Sequence, residues 1–158
     1  TIFITGSIML NTYVEAIQQH VNESIEDLDS LYNILQERSW TRVERKGAER
    51  LLQTLVESCI GVAKHWLKQQ NKVLPTDAYS VFEKLMDLQL ISTDEAEEWQ
   101  RIIGMRNAIV HDYLNLDEKV IRAIIVNKMY LKLQVFTFSI SERLRTGQLR
   151  CANTLSRL

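Results

Sequence analysis

Ser92-Thr93-Asp94-Glu95-Ala96-Glu97-Glu98-Trp99-Gln100-Arg101-Ile102-Ile103-Gly104-Met105-Arg106-Asn107-Ala108-Ile109-Val110-His111-Asp112-Tyr113 opens like a helix and then carries a charge where a core residue belongs. Ser92 followed three residues later by Glu95 is a capping box, which satisfies orphan amide donors at a helix start. On a helical wheel, Ile102, Ile103, Trp99, Ile109 and Val110 fall within about 60° of Arg106, and Glu97, Arg101 and Asp112 lie opposite. Arg106 therefore occupies the centre of the apolar arc. A charged guanidinium there is costly unless it is paired or faces a cleft.

The same helical period extends to either side. Upstream, Val14, Ile17, Val21, Ile25, Leu28, Leu31 and Leu35 recur at steps of three and four, predicting a helix over 11–38. Thr41 with Glu44 is a second capping box, opening a helix through Leu51, Leu52, Leu55, Val56, Ile60, Ala63 and Leu67 that stops near Asn71, before Pro75. Thr76 or Asp77 caps a short helix holding Val81, Phe82, Leu85 and Met86. Downstream, Asp117 caps a helix read as continuous from Val120 to Ile140. There is no alternating strand pattern, glycine-rich phosphate loop or internal repeat. With one proline and five glycines in 158 residues, punctuation is scarce. The expected fold is all-α: an up-and-down bundle of about five helices. Residues 9–146 form the expected domain. Residues 1–8 are read as a non-native or flexible N-terminus with Met9 as a candidate start, and 147–158 as a basic tail; beyond Glu142 the chain carries Arg143, Arg145, Arg150 and Arg157 and no acid.

Composition narrows the function classes. The net charge of −1 gives no global field for a polyanion, so nucleic-acid binding must rest on local clusters. Arg38, Arg42, Arg45, Lys46 and Arg50 form one, but Glu37, Glu44 and Glu49 interleave with them, as on a solvated face. Cys59 and Cys151 have no CxxC neighbour and no metal-ligand spacing with histidine, which argues against zinc and suits a reducing, cytoplasmic setting. No charge-free apolar run of about 18 residues predicts a membrane span. His20 and His65 have no matching ligand partners, and Trp40, Trp66 and Trp99 read as packing anchors.

What stands out is the order of Arg106, Asn107, His111 and Tyr113. Metal-free RNA cleavage needs a base for the 2′-OH proton, an acid for the departing 5′-oxygen and positive charge beside the phosphorane-like transition state. An imidazole can serve as base or acid, and a guanidinium offers forked donors to phosphate oxygens. Asn107 is four residues from His111, placed to orient it or to bind phosphate. Arg106 and His111 are about 140° apart on the helix, so one side can face a shared cleft while another packs internally, and two copies meeting across a two-fold axis would bring two Arg–His sets together. The bland readings are a capping His111, an Arg106 paired to a buried acid such as Glu57, and a packing Tyr113, which would return to the Arg106 face if the helix continued.

Arg106-Asn107-x-x-x-His111-x-Tyr113, approached through Ile103-Gly104-Met105, resembles the motif of the HEPN-domain toxins called HepT. The likeness covers roughly residues 40–140 and takes in Glu57 and Ser58, then Pro75, Tyr79, Phe82 and Leu85, then Leu90 and Ile91. It implies a homodimeric, metal-independent endoribonuclease without a cofactor, cutting tRNA or mRNA. By resemblance, Arg106 and His111 match the catalytic pair and Asn107 the supporting polar residue. Tyr113 matches the tyrosine to which a nucleotidyltransferase antitoxin transfers AMP. Two alternatives are a non-catalytic adaptor that binds such a nucleotidyltransferase, and a plain helical dimerisation domain with Arg106 paired to Glu57.

Overall fold

The computed structural model of the chain describes residues 2–155, with side chains over 5–147. Among the described residues there are six α-helices and no strand: α1 (Ile2–Glu37), α2 (Arg42–Gln69), α3 (Ala78–Asp87), α4 (Thr93–His111), α5 (Glu118–Val126) and α6 (Leu131–Leu155). The all-α expectation holds, with two differences in where helices begin and end.

First, α1 starts at Ile2, well before the stretch marked by apolar period. Ile8 and Met9 are exposed, so the early turns carry no core-facing stripe for periodicity to detect. Second, the helix read as continuous from Val120 to Ile140 is two. α5 ends where the Lys128 amide bonds to the Ile125 carbonyl and the Met129 amide to the Ile124 carbonyl, with Lys128 at φ 50°. That is a Schellman ending with lysine in the left-handed position usually held by glycine. Asn71 (φ 56°) closes α2 and Gln89 (φ 59°) closes α3 with the same pair of bonds. The lysine conformation is held by its surroundings: its ammonium lies 4.4 Å above the Tyr32 ring and 3.8 Å from Asp29, both on α1. Next to it, the buried Tyr130 donates a 2.5 Å hydrogen bond to Asp29. Desolvation, and then the Asp29 carboxylate, push this phenol well above its ordinary pKa.

α2 is the central helix, packed by α1, α3, α4 and α6. Both boxes expected from sequence are present, Thr41 with Glu44 and Ser92 with Glu95, and Asp77 caps α3. Arg38, and then the Thr41 amide, hold the Glu44 carboxyl down at about 2. One aromatic cluster ties α3, α4 and α6 together. Phe82 stacks on Trp99 at 4.2 Å, and Phe136 lies 4.6 Å from Trp99. Cys59 is fully buried on α2, its sulfur 3.2 Å from the Thr137 hydroxyl, and burial raises the thiol to about 12. α6 runs on to Leu155, so the backbone of the expected basic tail is helical as far as Leu155. The side chains of Arg150, Cys151 and Arg157 lie outside the described residues. No helix among the described residues is long and apolar enough to cross a membrane.

Candidate active site

α4 buries Ala96, Trp99, Ile103 and Ile109, the arc expected around Arg106. Arg106 is half-buried on that arc, and its Nε is sealed from solvent with no hydrogen-bond partner. No carboxylate among the described residues comes within ion-pair distance of it. Glu57, the expected partner in the dimerisation-domain reading, is exposed and instead accepts a 3.0 Å hydrogen bond from Gln53. Arg106 is not a core strut neutralised by a buried acid. A bulky polar side chain on an apolar face here opens a cleft rather than filling a layer.

That cleft has a volume of about 430 Å³ and is built from three helices. α2 supplies Glu57, Ile60 and Lys64, a single stripe at helical spacing; the start of α3 supplies Thr76 to Tyr79; α4 supplies Arg106 and Asn107. Asp77 spends its carboxylate on the α3 cap, bonding the Ser80 amide and hydroxyl, and these bonds, the hydroxyl first, lower its pKa. Tyr79 enters the sequence reading only through the family likeness, and Lys64 does not enter it at all. The signal for Lys64 was the Glu57, Ile60, Lys64 spacing, which reads equally well as an ordinary amphipathic edge.

His111 lies elsewhere. It is the last residue of α4, exposed, and not among the residues walling the Arg106 cleft. The helix stops there because the chain turns: the Asp112 amide still bonds to the Ala108 carbonyl, but the Asn115 amide bonds to the Asp112 carbonyl and its side chain donates to the Asp112 carboxylate at 2.8 Å. Tyr113 therefore does not continue onto the Arg106 face. It stands 59% exposed at the tip of this turn beside Leu114. Arg45 anchors the far side of the turn through a 2.7 Å ion pair to Glu118. Within one protomer the structure joins Arg106 and Asn107 in a cleft and leaves His111 and Tyr113 outside it.

One face of α4 carries the exposed Gln100 and His111 with the half-buried Gly104 and Ala108 between them, and the Tyr79 phenol of α3 lies over Gly104, 3.5 Å from where a Cβ would stand. Gly104 and Ala108 are four apart and lie within about 40° of each other on the wheel. The room that Gly104 leaves is taken up by that phenol.

Comparison with known proteins agrees with this architecture. A family model described as "Ribonuclease HepT-like" matches residues 21–137. The mRNA nuclease HepT of Shewanella oneidensis is 37% identical over 68 residues, 42% of this chain and 51% of that protein, so the match spans about half that relative's length. Among solved structures, the tri-AMPylated Shewanella oneidensis HEPN toxin in complex with MNT antitoxin superposes with a TM-score of 0.71 at 19% identity, covering 82% of this chain and 96% of that one. A toxin–antitoxin complex with AMP-PNP superposes with a TM-score of 0.70 at 19% identity, covering 81% of this chain and 96% of that one. At that identity the two structures establish the fold, while the family model spans well over half the sequence: the chain belongs to the ribonuclease HepT-like family.

Proposed function

We propose that the protein is the toxin of a HEPN/nucleotidyltransferase toxin–antitoxin pair, a metal-independent endoribonuclease acting in the cytoplasm as a homodimer. The observation that carries this reading is Arg106, a half-buried guanidinium with an unpartnered Nε at the wall of an open cleft, in a chain of this family. A buried donor without an acceptor costs about 1–3 kcal/mol. Because the Nε is sealed, it is the terminal guanidinium nitrogens that can meet a phosphate oxygen in the cleft.

The mechanism follows from the placement of the groups. In one protomer Arg106 and His111 diverge by about 140°, so neither can serve the other's phosphodiester alone. Two copies whose α4 helices meet near their His111 ends bring the Arg106 of one protomer and the His111 of the other to one phosphodiester. One imidazole takes the 2′-OH proton. The 2′-oxygen attacks phosphorus, and the bond to the 5′-oxygen breaks. The same imidazole, now carrying that proton, gives it to the departing oxygen, leaving a 2′,3′-cyclic phosphate and a free 5′-OH. Arg106 neutralises the charge on the non-bridging oxygens, and Asn107, in the same cleft, positions the phosphate.

Neutralisation acts at Tyr113. Its exposed phenol oxygen attacks the α-phosphorus of ATP on the partner nucleotidyltransferase, and pyrophosphate leaves. Each AMP added brings a negative charge and a bulky nucleoside two residues from His111, repelling RNA there. This agrees with the tri-AMPylated state of the Shewanella toxin. The test is cleavage of RNA by purified protein in EDTA. Wild type is expected to cut, while Arg106→Ala and His111→Ala each lose activity by at least about a thousandfold and remain folded. Undiminished cutting by either variant contradicts the proposal; AMP transfer to a protein that cuts no RNA points to the adaptor reading.

A further inference from the structure

The Arg106 cleft holds a second cation that nothing above has used. Lys64 of α2 lines the same cleft, half-buried, with no hydrogen bond and no carboxylate within ion-pair distance. Two carboxylates also face the cleft, so formal charge there is balanced. Their hydrogen bonding is not balanced: Asp77 is held by Ser80 and Glu57 by Gln53, whereas Lys64 and the Arg106 Nε have no acceptor. Lys64, a cation with free donors beside acids whose oxygens are already engaged, suits a phosphate next to the one that Arg106 contacts.

Taking the ribonuclease reading as given, we infer that Lys64 is a substrate-binding residue that holds a backbone phosphate of single-stranded RNA in the Arg106 cleft. The cleft, about 430 Å³ and lined by α2, α4 and the start of α3, has room for one sugar-phosphate unit beside Lys64. Arg106 on the α4 wall takes the scissile phosphate, so the phosphate held by Lys64 on the α2 wall flanks it. Lys64 thus aligns the strand and takes no part in proton transfer. Its loss is felt in binding and in salt dependence, and the chemical step is spared.

The experiment uses the full chain and a 2′-O-methyl oligoribonucleotide, which has no 2′-OH and cannot be cut. Fluorescence anisotropy at several salt concentrations gives affinity and its salt slope. Lys64→Gln is expected to weaken binding by about fivefold at 0.1 M salt and to reduce the slope of log K against log salt by about 0.7, the loss of one phosphate contact. Lys64→Arg restores both, and Lys68→Gln, one turn away and exposed, changes neither. With a cleavable RNA, Lys64→Gln raises KM by a similar factor and leaves kcat within about twofold. Wild-type affinity and slope in Lys64→Gln overturn the inference, as does a fall in kcat with KM unchanged, or no RNA binding by wild type. Lys64-dependent binding by a protein that cuts nothing upholds the subsite and overturns the ribonuclease reading alone.

Discussion

Arg106 and His111 leave the same helix about 140° apart, the guanidinium toward a cleft walled by α2 and the imidazole into solvent at the helix end. Residues that a linear motif places together are thus separated within one protomer. The consequences for function, stability and regulation can each be measured.

Arg106→Met removes a buried donor that has no partner and replaces it with a flexible apolar side chain of similar length. Stability is expected to hold or to rise by about 1 kcal/mol, seen as a Tm unchanged or up by about 2–4 °C. Cleavage is expected to vanish. A Tm lowered by more than about 5 °C indicates that the arginine is structural after all.

Tyr113 is exposed at the tip of a turn closed by Asp112 and Asn115. Incubation with the cognate nucleotidyltransferase and ATP is expected to raise the intact mass in whole units of AMP and to inhibit RNA cleavage. Tyr113→Phe should show no mass shift and stay active in the partner's presence. Modification of Tyr113→Phe to the wild-type extent moves the acceptor elsewhere.

The Cys59 thiol is raised to about 12 by burial against Thr137. An acid whose folded pKa is raised stabilises the fold fully below its unfolded value, about 8.5 for a thiol, and loses that contribution as pH climbs toward the folded value. In a Cys151→Ser background, native protein at pH 8 is expected to resist alkylation, and Tm to fall between pH 9 and 11. Cys59→Ala should remove the part of that fall between about pH 9 and 10, below the range where the raised Tyr130 phenol adds its own, while lowering stability at neutral pH. Rapid alkylation without denaturant contradicts the burial.

Two of the left-handed helix endings can be told apart. Gln89 makes no side-chain hydrogen bond, so Gln89→Gly relieves the left-handed penalty of about 1 kcal/mol and should raise Tm by about 2–4 °C. Lys128→Gly relieves the same penalty but loses the contacts with Tyr32 and Asp29, and should bring no gain. Equal stabilisation by both would show that those contacts contribute nothing.

Much of this fold is written in local chemistry. Thr41 with Glu44, Ser92 with Glu95, and Asp77 mark helix starts because a cap needs only a side chain and an amide three residues on. The helix ends were harder to read. Asn71, Gln89 and Lys128 take the position where glycine is the usual sign, and for Lys128 the compensating partners lie on α1, far off in sequence. The α1 start was missed because its first turns face no core. At the site, Arg106 announced itself as a charge on an apolar arc. Lys64 did not, because an amphipathic helix edge carries lysines as a matter of course and only the fold sets one opposite Arg106.

A site shared between protomers is tested most directly by mixing two inactive variants. Arg106→Ala and His111→Ala are co-refolded, mixed dimers are confirmed by native mass spectrometry, and RNA cleavage is measured in EDTA. If Arg106 and His111 act together across the two-fold axis, the mixture regains measurable activity that neither variant shows alone, in proportion to the mixed dimer formed. Mixed dimers that remain as inactive as their parents, or a wild-type monomer that cuts at full rate, would contradict it.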